Sequence, residues 1–141
     1  MSNLPSVTAS LSYRDAPAAI EFLCRAFGFV AELVVPGEAP GTVAHSQLVL
    51  GRGMVMVGSA RPAAEAGRRW QRAPGDPDGP QACLYVYVPD VDAHAARAAA
   101  AGARIVSTLA DRSHGGRDYG AEDLEGHVWY FGSYDPWAPR G

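Results

Sequence analysis

One succession of segments occurs twice along this 141-residue chain, and that repeat restricts the folds available to it. The first copy runs from the strand-like segment 11–15 through an apolar stretch to Gly28. The second runs from segment 86–90 through an alanine-rich stretch to Gly102. Internal repeats of this kind indicate a domain assembled from similar structural units. Since the chain is too short for two independent domains of ordinary size, we predict one domain built from two units.

Each copy carries the residues that begin and end a helix. Asp15 and Asp90 suit the N-cap position, and Gly28 and Gly102 suit the left-handed position after a helix. The first helix should bury one face, because apolar side chains recur there at helical spacing, at Ile20, Leu23, Cys24 and Phe27. The pattern predicts one helix over residues 16–27 and another over 91–101.

Three extended segments follow each predicted helix, and tight turns at 51–53 and 124–126 precede the last of them. They are 30–35, 43–50 and 54–57 in the first copy, and 104–108, 119–122 and 128–131 in the second. The fold class is therefore α+β, with two tandem βαβββ units. Unit one covers about residues 5–59, a Pro-, Gly- and Arg-rich linker about 60–80, and unit two about 81–135.

Composition excludes several classes of protein. A net charge of −3 without a basic stripe argues against nucleic acid as a partner, and no apolar run is long enough to cross a membrane. Every basic residue is arginine, which excludes Schiff-base chemistry on lysine. The two cysteines, Cys24 and Cys83, do not suggest a disulfide framework, and we expect a cytoplasmic protein.

Four motifs in order carry a family resemblance. They are the segments YRD, AIEFL and AFGF within 13–29, VYVPDVDAH at 86–94, AAGA at 100–103, and GRDY with DLEGHVWYF within 116–131. In these the chain resembles the vicinal oxygen chelate superfamily of glyoxalase I, bleomycin-resistance proteins and extradiol dioxygenases, most closely its PhnB-like branch. Leu124 departs from the pattern, since proline is usual there.

The resemblance implies a glyoxalase-like cup, a curved mixed sheet with the helices outside, and commonly a homodimer whose cups use units of both chains. It also implies four metal-ligand positions, which fall here on Thr8, Met56, Cys83 and Tyr130. Because none of these is His, Gln, Asp or Glu, we expect no metal and no other cofactor. An off-pattern metal site would have to draw on His45, Cys83, Glu125 or His127.

Alternation along the strands predicts which side chains face the cup. On this basis the cup is lined by Thr8, Ser10, Ser12, Met54, Met56, Cys83, Tyr85, Tyr87, Val128 and Tyr130. The opposite, more apolar positions should lie under the helices: Val7, Leu11, Tyr13, Val55, Val57, Leu84, Val86, Val88, Trp129 and Phe131. Aromatic and sulfur-containing surface with hydroxyl groups suits a planar organic ligand. The alternative is that these side chains merely fill a small cavity.

Several polar residues each have two interpretations. His45 could face the cup as a hydrogen-bonding group or general base, or be an exposed edge-strand residue. Arg117 could bind an anionic group in the cup, or pair with Asp118, Glu122 or Asp123. Asp123 should shape the turn before Gly126, and His127 should lie outside the cup. Trp70 could be a lid or a dimer contact, or belong to a disordered linker.

These observations leave three hypotheses for function. The first is a metal-independent protein that binds and sequesters an aromatic or antibiotic-like compound in a dimeric cup. The second is a lyase, isomerase or dioxygenase with a displaced metal site or metal-free acid/base chemistry, in which His45 and Tyr130 would carry protons. The third is a scaffold whose cup is plugged by its own side chains.

Overall fold

A computed structural model describes residues 7–61 and 83–139; Trp70 and nearly all of the predicted linker lie outside these ranges. The elements are β1 (Ala9–Tyr13), α1 (Ala16–Phe27), β2 (Val30–Pro36), β3 (Val43–Leu50), β4 (Gly53–Ser59), β5 (Cys83–Tyr87), α2 (Val91–Ala100), β6 (Arg104–Asp111), β7 (Arg117–Glu122) and β8 (Val128–Gly132). The predicted order of strand, helix and three strands, repeated twice, is confirmed.

The helix ends follow from the residues that the sequence places there. The Asp15 carboxylate accepts a hydrogen bond from the Ala18 amide at 3.1 Å, and α1 closes on Gly28, whose φ of 87° is left-handed. Asp90 caps α2 in the same way through the Ala93 amide at 3.1 Å. α2 ends one residue before the predicted limit of Ala101.

The strands form two separate four-stranded mixed sheets. Sheet A has the order β1-β4-β3-β2, and sheet B has the equivalent order β5-β8-β7-β6. In each sheet the first and last strands of the unit pair in parallel, while the other pairs are antiparallel. The predicted α+β fold with tandem βαβββ units is confirmed, and the described strands form no closed barrel.

Burial distinguishes the two faces of each sheet. On the helix face, which packs against a helix, Leu48, Val57, Trp129 and Phe131 are fully enclosed. Side chains on the other face, called here the open face, are only partly covered. Since neighbours along a strand alternate between faces, the predicted strand phase agrees with this burial pattern at most positions. Two positions differ: Val7, predicted under the helices, is 87% exposed just before β1, and Ser12, predicted in the cup, is buried. The helix faces of both sheets contribute to a single apolar core.

The C-terminal ends of α1 and α2 meet through reciprocal arginine contacts. Arg97 donates from Nε to the Arg25 carbonyl at 3.1 Å and from a terminal nitrogen to the Cys24 carbonyl at 3.2 Å. Arg25 donates in return to the Ala101 carbonyl at 2.8 Å. Carbonyls at helix ends lack intrahelical partners, so the two side chains supply donors to the Arg25 and Ala101 carbonyls. The Cys24 carbonyl also accepts the Gly28 amide at 3.2 Å.

Asp123 of unit two also joins the two units, through a hydrogen bond with Tyr13 of unit one. Its Oδ2 accepts hydrogen bonds from the Tyr13 hydroxyl at 2.5 Å and from Trp129 Nε1 at 3.0 Å, and its Oδ1 accepts the Glu125 and His127 amides, both at 3.1 Å. Burial and the neighbouring Asp123 carboxylate raise the pKa of Tyr13 far above its usual value. The phenol therefore stays protonated and acts as a donor. Asp123 does shape the predicted turn, but it also binds a residue of unit one.

His94 of α2 is a further polar link between the units. Its Nε2 lies 2.7 Å from the Phe27 carbonyl, and its Nδ1 lies 2.6 Å from the Tyr119 hydroxyl. These partners fit a neutral ring that donates to the carbonyl and accepts from the phenol. Burial, and to a smaller extent Arg97, lower the pKa of His94 below its usual 6.5.

This lowered pKa predicts a loss of stability in mild acid. The unfolded chain takes up a proton at His94 as the pH falls through about 6.5, whereas the folded chain resists it, so folding becomes less favourable there. Urea unfolding at several pH values between 7.5 and 5 should show this decline, and His94→Gln should flatten it. An identical decline in the variant would assign the effect to other groups.

Within the described ranges, neither helix has the length and apolar character needed to cross a bilayer.

Candidate functional site

The open face of sheet A carries a row of side chains from three strands. Met56 of β4 pairs with Ser10 on one side and with Gln47 of β3 on the other. His45 shares this face, and its Nε2 lies 2.9 Å from Gln47 Oε1. Thr8 is exposed just before β1. The structure thus groups the predicted residues Ser10, Met54, Met56 and His45 on one face, and adds Gln47, which was not predicted.

The open face of sheet B is more aromatic. Tyr85 of β5 pairs with Tyr130 of β8, Cys83 pairs with Val128, and Tyr87 pairs with Gly132. Tyr85 and Tyr87, on the edge strand β5, remain 41% and 46% exposed. This face groups all the cup residues predicted from unit two except Arg117.

Two glycines on sheet B determine how the tyrosine rings lie. A Cβ atom on Gly120 would meet three ring atoms of Tyr130 at 2.8 to 3.1 Å, so the ring lies directly over the glycine. At Gly132 a Cβ atom would fall 2.6 Å from the Tyr85 hydroxyl. The missing side chains therefore allow both rings to lie against the sheet and present a flat aromatic surface.

Further contacts hold the groups on this face. The Tyr85 hydroxyl donates to the Tyr134 carbonyl at 2.6 Å. Partial burial raises the pKa of Tyr85 and that of the Cys83 thiol. Both groups therefore stay protonated at neutral pH, which makes Cys83 a poor nucleophile.

Charged residues also occur on the open face of sheet B, and they occur in pairs. Arg112, just after β6, binds the Asp118 carboxylate at 2.8 Å, and Arg104 lies 3.0 Å from Glu122. Asp118 lies beside Tyr85, since the Asp118 Cβ and the Tyr85 hydroxyl both crowd Gly132. Arg112 was not predicted as a site residue, because it follows the end of β6 and strand alternation does not apply to a turn residue.

Arg117 is not on the open face, which corrects its predicted place in the cup. Its guanidinium binds Asp92 of α2 at 3.1 Å and Asp111 at 3.3 Å, rather than any of the three acidic partners considered above. The alternation of β7 explains this, because Arg117 has the same phase as the buried residues Tyr119 and Ala121. That signal was present in the sequence.

The positions that the resemblance assigns to metal ligands divide between the sheets. Thr8 and Met56 belong to the sheet A side, and Cys83 and Tyr130 belong to sheet B. Among the off-pattern candidates, Glu125 binds the Arg14 and Asp15 amides at 2.7 and 2.8 Å. His127 is buried at the unit junction beside Tyr13. In the described part of the chain, no three His, Cys, Asp or Glu side chains form a cluster.

The two open faces are not brought together within one chain. In the described residues no strand of sheet A lies beside a strand of sheet B. The units meet through the helices, the shared core and the hydrogen bonds of Asp123, Glu125 and His127. Each sheet therefore presents its open face separately. The two faces carry different chemistry, with methionine, glutamine and histidine on sheet A and tyrosine with paired charges on sheet B.

Comparisons with known proteins cover nearly the whole chain. Residues 6–131 match the family model described as Glyoxalase/Bleomycin resistance protein/Dioxygenase superfamily. An uncharacterised Mycobacterium bovis protein, Mb0911c, is 33% identical over 128 residues, which are 91% of this chain and 82% of that protein.

Solved structures agree in fold. The crystal structure of TioX from Micromonospora sp. ML1 is 38% identical, with a TM-score of 0.71 over 91% of this chain and 97% of that one. Lactoylglutathione lyase from Agrobacterium tumefaciens is 21% identical, with a TM-score of 0.65 over 96% of this chain and 98% of that one. At that identity the second likeness concerns the fold alone.

Proposed function

Because this chain belongs to the glyoxalase/bleomycin resistance protein/dioxygenase superfamily, we propose that it binds a planar aromatic compound between an open face of sheet A and one of sheet B. The observation that carries the proposal is the pair of Tyr85 and Tyr130 rings laid against the sheet. Flat, partly exposed aromatic surface is suited to stacking on another ring. Binding without chemical change would make this a sequestering protein.

The proposed binding does not require a metal ion. Divalent ions are held by imidazole nitrogens, carboxylates or thiolates that converge on one point. The family positions offer a hydroxyl, a thioether, a phenol and a thiol, and the Cys83 thiol has a raised pKa. This donor set favours organic ligands over a hard or borderline cation.

A second copy of the chain completes the proposed cup. The shared core occupies the helix faces of both sheets, so the open faces point away from it and leave tyrosine, methionine and valine partly uncovered. A homodimer can oppose sheet A of one protomer to sheet B of its partner, and symmetry then creates two equal cups. Assignment to the PhnB-like branch is a finer proposal that rests on the motifs alone.

The binding proposal predicts saturable association with planar bicyclic compounds in the presence of EDTA. We suggest 2-naphthamide, a neutral bicyclic amide, as the first of a panel of such compounds, followed by isothermal calorimetry and thermal shift. Tyr130→Ala should weaken binding by about tenfold, because one stacking surface is lost. Trp137→Ala, which alters a 91% exposed aromatic outside the sheets, is the control. A panel without any saturable binder would contradict the proposal.

Mixing two variants with weakened binding tests the two-chain cup, measured at a probe concentration that only intact cups bind. Met56→Glu damages sheet A and Tyr130→Ala damages sheet B, so each homodimer has two defective cups. In a random mixture of equal amounts, half of the dimers are mixed and each of these has one intact cup, which restores about a quarter of the sites. A cup formed within one chain would recover no sites on mixing.

An enzyme is the second candidate, and the His45 and Gln47 pair favours it. A histidine held 2.9 Å from an amide on the open face has a fixed orientation and could exchange a proton with a bound compound. Metal analysis of protein purified without chelators tests the metal-dependent form of this enzyme hypothesis. A stoichiometric divalent ion would contradict metal-independent binding and favour the metal-assisted chemistry of the superfamily.

A further inference from the structure

The charged residues on the open face of sheet B neutralise one another in place. Four of them share this face within the described residues: Arg104, Arg112, Asp118 and Glu122. Each arginine contacts one carboxylate on the same face. The charges of each pair are therefore balanced within the protein, without a ligand. The face therefore offers local dipoles and hydrogen-bonding groups without a net charge.

The inner of these pairs adjoins the tyrosine surface. The Asp118 side chain is only 14% exposed and lies beside Tyr85, while its partner Arg112 is 36% exposed. Both Arg112 Nε and a terminal nitrogen contact the same oxygen, Asp118 Oδ1, at 2.8 Å. Other N–H groups of the guanidinium and the second carboxylate oxygen, Oδ2, take no part in these two contacts.

An ion pair arranged in this way presents a donor and an acceptor side by side. A carboxamide or lactam has the complementary arrangement, because its C=O can accept from the guanidinium while its N–H donates to the carboxylate. A carboxylate on the ligand would instead meet the negative charge of Asp118, and an ammonium group would meet the positive charge of Arg112. The balanced pair therefore disfavours both ions.

We infer that the Arg112–Asp118 pair selects uncharged planar ligands that carry an amide-like group next to the ring, and excludes analogues bearing a carboxylate or an ammonium group. This inference rests on the proposed binding function, since it names the ligand class for the same site. Arg112 and Asp118 are then specificity-determining residues, and the tyrosines supply the stacking surface.

Three probes with the same ring test the selection. They are 2-naphthamide, 2-naphthoate and 2-naphthylmethylammonium, titrated into the full-length protein at pH 7.5. Wild type should bind the amide roughly tenfold more tightly than either ion. Asp118→Asn frees Arg112 and should shift preference toward the carboxylate by about tenfold, whereas Arg112→Gln should shift it toward the ammonium probe by a similar factor.

Asp111→Asn is the matched control. It also removes a carboxylate from an arginine, but that arginine, Arg117, lies on the helix face. The order of the three probes should stay as in wild type. Thermal unfolding of each variant establishes that it is folded before its affinities are compared.

The outcomes separate this inference from the function on which it rests. Tighter binding of the amide, with opposite shifts in the two variants, supports it. If wild type binds all three probes equally or prefers an ion, the selection is overturned while the binding function stands. If no planar probe binds wild type at all, the binding function itself falls, and the selection with it.

Discussion

Replacing Asp123 with alanine is expected to destabilise the protein by about 3–5 kcal/mol, the largest loss that any single polar side chain should cause here. The carboxylate is buried and accepts four hydrogen bonds, two from side chains and two from amides. Alanine would leave the Tyr13 hydroxyl and the Trp129 indole N–H without this partner in the core. A buried donor without an acceptor lowers the stability of the folded state by its full desolvation free energy, because no hydrogen bond replaces those it made with water.

Tyr13→Phe measures how much the Tyr13 hydroxyl alone contributes to this loss of stability. It removes one donor and leaves Asp123 with the remaining three, so the expected loss is only about 1–2 kcal/mol. Urea unfolding followed by tryptophan fluorescence measures both variants. Protein concentration must be held constant, because association would make apparent stability depend on it.

Asp135→Ala is the control for the Asp123 prediction. Asp135 also accepts an amide hydrogen bond, from Trp137 at 2.9 Å, but in an exposed turn. Its loss should cost less than about 1 kcal/mol, since water can replace the contact. If Asp123→Ala destabilised the protein no more than this control, the proposed role of the carboxylate at the unit junction would be wrong.

Much of this fold was predictable because its information is local. A helix needs a capping side chain, an apolar stripe and a residue that tolerates positive φ, and all of these occur within segments 15–28 and 90–102. In a strand, alternation of apolar and polar residues indicates which face is buried. The burial of Leu11, Val57 and Phe131 was therefore predictable from the pattern. The repeat then supplied the order of the elements.

Contacts between distant segments were not predictable in the same way. Asp123 looks like an ordinary turn residue, and its bond to Tyr13 spans 110 positions of the chain. Arg112 follows a strand that contains a bulge, so alternation does not reach it. Arg117 is different: the neighbouring buried residues Tyr119 and Ala121 already indicated the helix face. Its assignment to the cup followed its charge instead of its position.

Gly120→Ala is expected to lower the affinity for 2-naphthamide by about tenfold, as Tyr130→Ala does, while leaving the fold intact. Gly120 has no positive φ, so alanine introduces no backbone strain. The new methyl group would instead meet the Tyr130 ring at 2.8 to 3.1 Å, closer than carbon atoms pack. The ring must tilt away from the sheet, and the flat surface that it forms with Tyr85 is lost.

Gly58→Ala provides the matched control on sheet A. Gly58 follows Met56 on β4 just as Gly132 follows Tyr130 on β8, yet an added Cβ would have no neighbour closer than 3.5 Å. This variant should bind the probe as wild type does. The stability of Gly120→Ala should fall by only about 1–2 kcal/mol, because the obstructing ring belongs to a side chain that can move.

A double-mutant cycle of Tyr130→Ala and Gly120→Ala tests whether the glycine acts through the tyrosine ring. The affinity for 2-naphthamide is measured in both single variants and in the double variant. If the glycine acts only by letting the tyrosine ring lie flat, the two losses of affinity should not add, and the double variant should bind as weakly as Tyr130→Ala alone. Additive losses would show that Gly120 contacts the ligand independently of the ring. Unchanged affinity in Gly120→Ala would mean that the flat ring is not the stacking surface, and binding would have to be sought elsewhere on the open faces.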